Sequence, residues 1–404
     1  MNRRDFMNLA GSAVLAPVIL GCSRGSGGLV ATPEKRADYL KRVLESICAV
    51  GPHPIGSPEY AKAAEIFLAE MKPADPSARL DSFTYERWRL LAEPEFYIGD
   101  KRIETYPGHG TSGTPEAGIT GILKEIEDPG GIPYGIADRK TGKVGAWVSL
   151  ARHDKAVPLP YYSFQKEVKC LPTLNIGLQD VPALEEAIKS RTPVRVKSLV
   201  EFIPNTSTAN VVGELPGESD EEILFLAHLD TVYNTPGAND NTASAIAMLL
   251  LMHRFSGKKL RKPMTFVATN GEEYNKLGAI DYAERRKREG TYDNIKYLVN
   301  LDSITWGPNM QVFTGDEEVW NLITEIDRDL GIPGDPVWAG KDGFNLDGRP
   351  FRDTGAKAVY MNSRGYDNVH VWHRPEDTPE TVPVDCVEIF YRLFEEYVLR
   401  VQRL

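Results

Sequence analysis

No cysteine in this 404-residue chain has a near partner in sequence: the four stand at 22, 48, 170 and 386, without the paired spacing of a zinc ribbon or a redox dithiol. None lies beside a histidine in a context that would make a catalytic thiolate. Positive charge is also scarce. Lys and Arg number 47 against 57 Asp and Glu, a formal net charge of −10, which argues against general affinity for nucleic acid or an anionic membrane surface. No ladder of basic and aromatic residues offsets that balance. Near the start, the apolar run Met7 to Leu20 is about fourteen residues, too short to span a bilayer in the usual way. What remains is an average globular composition, 42% hydrophobic and 26% charged, which excludes a fibrous or disordered chain and allows roughly two domains on length.

The first residues read as an address. Arg3-Arg4-Asp5-Phe6 is a twin-arginine start, and the short apolar run after it suits a signal-peptide core. Ile19-Leu20-Gly21-Cys22 resembles the lipobox of bacterial lipoproteins, in which the cysteine is lipidated, with Leu20 bulkier than the usual residue. Ser23 to Gly28 then forms a tether. The expectation is export by the twin-arginine pathway and a lipid anchor at the cell envelope through Cys22, the only membrane contact foreseen; a plain cleaved signal is the alternative. Cys48 and Cys386, in predicted helices near opposite ends of the chain, could bridge only if those helices pack together.

Tyr39, Leu40, Val43, Leu44 and Ile47 recur at helical spacing, Gly51 to Pro58 breaks the pattern, and Ala61 to Met71 restores it. Ser57 before Pro58 predicts a cap with proline in the first turn. His53, in the break, reads as a surface loop residue. From about Ser82 to Pro204 the texture changes to short β-like runs broken by Gly and Pro, such as Gly142 to Ser149 and Val194 to Lys197, with one short helix over Leu184 to Ile188. No carboxylate-histidine cluster occurs there, which predicts an inserted β-rich domain that shapes access without supplying chemistry.

After Gly217 chemistry-bearing residues follow apolar strands in series. Ile223 to Leu226 leads to His228 and Asp230, and Asp240 opens the next apolar helix. Met264 to Ala268 leads to Glu272 and Glu273, Tyr297 to Leu301 to Asp302, and Ala358 to Met361 to a loop with His370, His373 and Asp377. Such groups converge when the strands form an open, largely parallel sheet, whose carboxyl edge is where ligands bind. Taken singly, Glu272 and Glu273 could be solvated acids at a helix start, and Asp240 a helix cap.

Together the motifs resemble the di-zinc exopeptidases of the aminopeptidase and glutamate carboxypeptidase kind. They are His228-Leu229-Asp230, Gly237-Ala238-Asn239-Asp240, Glu272-Glu273, Asn300-Leu301-Asp302 and His373-Arg374-Pro375-Glu376-Asp377-Thr378, in that family's order. The resemblance implies an α/β fold with a mixed, mostly parallel central sheet flanked by helices. Residues 33–81 and 205–404 would form the catalytic domain, 1–32 the signal and tether, and 82–204 an insertion loosely similar to a protease-associated domain. It also implies two Zn²⁺ ions: His228 and Asp302 on one, Glu273 and His373 on the other, and Asp240 bridging both. Asp230 would orient the His228 imidazole, Glu272 would be the general base, and a peptide the substrate.

Leu346-Asp347-Gly348 to Gly355 resembles a substrate-side stretch of the family, with Leu346 in place of serine, which makes Asp347 a candidate contact. Trp372 stands where many relatives carry an oxyanion-binding tyrosine, and Tyr366 is a candidate substitute donor. Tryptophan at this position also occurs in the related glutaminyl cyclases, which use one zinc to close an N-terminal glutamine. Cyclisation and carboxypeptidase action therefore stand as alternatives to the aminopeptidase reading. The residues do not choose between the ends of the peptide, nor do they fix side-chain preference, native metal or oligomeric state.

Overall fold

The computed structural model describes residues 28, 30–127, 132–159, 171–341 and 346–404. The twin-arginine start and Cys22 lie outside the described residues. Among the described residues no helix is long and apolar enough to cross a membrane.

One eight-stranded sheet carries the predicted series. Its spatial order is Arg79–Leu90, Val200–Leu215, Met264–Thr269, Glu222–His228, Ile295–Leu301, Lys357–Arg364, Asn309–Phe313 and Val337–Gly340. The central four, Met264–Thr269 to Lys357–Arg364, pair in parallel, and the strands flanking them on either side are antiparallel. Three of these four segments, Glu222–His228, Met264–Thr269 and Ile295–Leu301, are almost wholly buried, which is why they read as continuous apolar runs rather than alternating ones. Since all four run the same way, His228, Asn270 to Glu273, Asp302 and the loop after Met361 emerge along one edge. The fold is the expected mixed, mostly parallel α/β sheet flanked by helices.

Helix Ala243–Phe255 is buried on nearly every side, as its almost unbroken apolar sequence requires. Helix Pro58–Met71 starts as read: Ser57 Oγ accepts the Tyr60 N–H at 2.9 Å, with proline at the first position. Cys48 and Cys386 are buried and both are free thiols.

Residues between Glu95 and Lys197 form a second eight-stranded sheet, Tyr134–Ala137 and Val144–Leu150 near its middle, with helix Val181–Ser190 against it. Its core is separate, built on Phe96, Ile136, Val148, Leu174 and Val194. The expected boundaries at 82 and 204 both fall inside long strands of the first sheet, Arg79–Leu90 and Val200–Leu215, which pair with each other along most of their length. This ribbon carries the chain out to the second sheet and back.

Candidate metal centre

Local packing aims each side chain. Strand Glu222–His228 ends on His228, whose Nδ1 lies 3.0 Å from the Asp230 backbone carbonyl, so that Nε2 faces the cleft. Asp240 sits in the irregular turn Ala238–Thr242. The Asp377 carboxylate holds this turn, accepting from Asn239 N and Nδ2, both at 2.8 Å, and from Asp240 N at 3.1 Å. Gly271, at φ +86°, makes the turn after Met264–Thr269; a Cβ there would collide with Ile55. The Asp230 carboxylate accepts the next two backbone N–H groups, Glu272 at 3.1 Å and Glu273 at 3.4 Å. Asn241 ties down the turn after strand Ile295–Leu301, donating to Leu301 O and accepting from Ser303 N, both at 3.0 Å. His373 adopts φ +56°, a conformation uncommon outside glycine. Its Nδ1 is 2.7 Å from the Pro158 carbonyl.

These constraints bring five donors together. His228 Nε2 lies 3.3 Å from Asp240 Oδ1 and 3.9 Å from Asp302 Oδ2. His373 Nε2 lies 3.5 Å from Asp240 Oδ2 and 3.1 Å from Glu273 Oε1. Asp240 therefore turns one oxygen toward each imidazole. Two ligand atoms each about 2.0–2.1 Å from a tetrahedral zinc lie roughly 3.3 Å apart, so the spacings suit cations held between these pairs. His228, Asp240 and Glu273 donors also fall within 4.8 Å of one another.

Charge gives a second test of fit. All five residues are at most 8% exposed, and buried carboxylates are costly without compensating cations. Burial raises Asp302 and Asp230 to about 7 and lifts Glu272 well above the usual carboxylate range. Burial opposes ionisation of Asp240 too, but hydrogen bonds from His228 and His373 outweigh it and hold its carboxyl low. Against the effect of burial, Glu273 and Asp240 raise His373 to about 10, and the neighbouring carboxylates raise His228 well above 6.5. The carboxylates thus draw positive charge to the imidazoles, and divalent cations can supply that charge in competition with protons.

Glu272, its side chain 12% exposed, lines the cleft with its Oε1 3.6 Å from the buried Lys276 ammonium. Trp372 also lines it and stacks on His373 with ring centroids 3.8 Å apart. Tyr366 does not: its hydroxyl donates to Asp385 at 2.8 Å on an exposed face. Asp347 is buried beneath the site, accepting from Thr269, and Leu346 faces the cleft in its place. Asp230 is at the site, but its carboxylate fixes the Glu272-Glu273 turn while its carbonyl orients His228. His370 is exposed and outside the cluster. His53 is fully buried rather than on the surface: its N–H donates to Thr231 at 2.9 Å, and burial lowers its imidazole to about 4.

Sequence reasoning foresaw that the inserted domain shapes access but missed which of its residues reach the site. Its loop from Ala151 to Leu159 supplies Arg152, His153 and Leu159 to the cleft wall and the Pro158 carbonyl to His373. Arg374 Nη1 donates to Ala156 O at 2.6 Å and reaches Glu104 at 3.1 Å. A backbone carbonyl has no sequence signature, so only the fold reveals this contact.

A buried cluster of imidazoles and carboxylates on the carboxyl edge of a mixed α/β sheet makes a candidate metal site. Residues 210–398 match the profile of Peptidase family M28. Leucine aminopeptidase 2 of Trichophyton equinum is 26% identical over 182 residues, 41% of this chain and 36% of the relative; the match thus spans about a third of that protein. The fold is shared with the zinc aminopeptidase BSAP of Bacillus subtilis, at a TM-score of 0.69 and 18% identity over 90% of this chain and 95% of that one. It is also shared with a glutaminyl cyclase from an Acidobacteriales bacterium, at a TM-score of 0.53 and 15% identity over 96% of this chain and 98% of the other.

Proposed function

We propose that the protein is a zinc-dependent exopeptidase, acting as an aminopeptidase through a two-zinc site. The observation that carries this reading is Asp240, whose two oxygens face two imidazoles while Glu272 stands alongside. His228 and Asp302 would hold one ion, Glu273 and His373 the other, and Asp240 both. Zinc bound there supplies Lewis acidity, polarising a substrate carbonyl and acidifying water. Glu272 takes the proton from the attacking water and delivers it to the leaving amine, and the Lys276 ammonium beside it keeps the carboxylate form accessible in a buried setting. Asp230 holds Glu272 and Glu273 in register through their backbone N–H groups. Trp372 covers His373 and excludes water from that side. Export through the N-terminal signal and anchoring at Cys22 belong to the same proposal, and would place the enzyme where peptides arrive from outside the cell.

Product analysis with the zinc-loaded protein tests the assignment. Peptides with a free N-terminus should release their first residue, and blocked ones should not. Release of the C-terminal residue instead would mean a carboxypeptidase. Conversion of a glutaminyl peptide to pyroglutamate without cleavage would mean the cyclase reading, which the tryptophan before His373 favours.

A further inference from the structure

The cleft over the cluster, 610 Å³ in volume, has one wall from the second sheet, and that wall carries a cation, Arg152. Among the described residues, every acid lining the cleft, Asp240, Glu272, Glu273 and Asp302, already belongs to the candidate metal cluster or its base. Arg152 is exposed at the rim and forms no ion pair with an acid among the described residues. Its backbone is nevertheless fixed. Ala151 N donates to Ile176 O at 2.8 Å, Leu178 N to His153 O at 3.0 Å and Gln179 N to Asp154 O at 3.1 Å, which tie down the backbone on both sides of it. Further along, the loop is pinned to the metal-side loop through Pro158 and Ala156. His153, beside Arg152, packs edge-on against Trp372 with ring centroids 5.7 Å apart. A planar guanidinium carried on this anchored backbone at the mouth of a site whose described acids are all engaged matches a carboxylate, to which it can present two parallel N–H groups.

We propose that Arg152 recognises a carboxylate on the substrate, so that the enzyme selects peptides with an anionic group close to the scissile bond. The inference rests on the peptidase reading above. The carboxylate could be the C-terminus of a short peptide or an acidic side chain, and the two are separable. The full zinc-loaded chain and its Arg152→Ala and Arg152→Lys variants are assayed on Ala-Gly-Gly against its amide, and on Ala-Asp-amide against Ala-Asn-amide. Loss of a charge-assisted contact should lower one of these two kcat/KM ratios by about 10–100-fold in Arg152→Ala, with part recovered in Arg152→Lys. A fall in the first ratio identifies the terminal carboxylate, a fall in the second the side chain. Both ratios unchanged in Arg152→Ala would overturn the proposal while leaving the peptidase reading intact. The same peptide pairs are also titrated calorimetrically into the Glu272→Gln variant with and without Arg152→Ala. If the wild type cleaves none of the peptides, the peptidase reading fails, and the binding difference alone decides whether Arg152 reads a carboxylate.

Discussion

Replacing Asp230 by Asn tests whether its carboxylate holds the Glu272-Glu273 turn or, as the resemblance implied, orients His228. The side chain is fully buried and its two oxygens accept the N–H groups of Glu272 and Glu273. An amide of the same shape must turn its NH₂ toward one of those N–H groups, setting donor against donor. A hydrogen bond to a charged group contributes about 1.5–3 kcal/mol, and stranding a buried N–H costs about 1–3 kcal/mol, so the Glu272-Glu273 turn should lose about 2–4 kcal/mol. His228 should keep its orientation, because its Nδ1 contacts the Asp230 carbonyl, which the substitution leaves in place. The loss therefore falls on Glu273, and one of two zinc equivalents should weaken by about 10–100-fold. Competition against a chromophoric chelator reads the two equivalents separately, with denaturant unfolding of the metal-free protein as the control for global damage. Wild-type affinity at both equivalents, or equal weakening at both, would refute the reasoning.

Glu272→Gln should retain its zinc yet lose about 10²–10⁴-fold in turnover if the carboxylate moves the proton, and unchanged kcat would remove it from that role. Asp240→Ala should lose bound metal and with it the stabilisation zinc gives the wild type, about 2.7 kcal/mol at a hundredfold excess over Kd; an undiminished rise in Tm on adding zinc would contradict bridging. Arg374→Ala strips a charged partner from the Ala156 carbonyl and from Glu104, and should cost about 2–4 kcal/mol in urea unfolding. Stability unchanged within error would mean the second-sheet loop is held by other contacts.

The parallel core was legible because buried parallel strands must be apolar throughout, and each of these segments closes on a polar residue that the sheet's direction carries to one edge. The five donors were legible for the same reason, reinforced by their motif order. His53 was misread because a histidine between prolines looks solvent-facing, and only the fold shows the His228 loop lying over it. Tyr366 and Asp347 were sound as residue types but wrong in direction: one turns to Asp385, the other lies beneath the site against Thr269. Beyond the expected shaping of access, the second sheet's hold on His373 could not be read, because it acts through the carbonyl of Pro158 and the reach of a folded loop. The Asp377 carboxylate belonged to a recognised motif, yet its work of holding the Asn239-Asp240 turn depends on a contact 137 residues distant in sequence.

The central claim is a two-metal hydrolytic site, and metal stoichiometry tests it most directly. Purified protein loaded with zinc and freed of excess should carry two zinc per chain by elemental analysis and release the N-terminal residue of an unblocked peptide, with both metals retained in Glu272→Gln and peptide release abolished. One zinc per chain with cyclisation of a glutaminyl peptide, or no bound zinc at all, would contradict it.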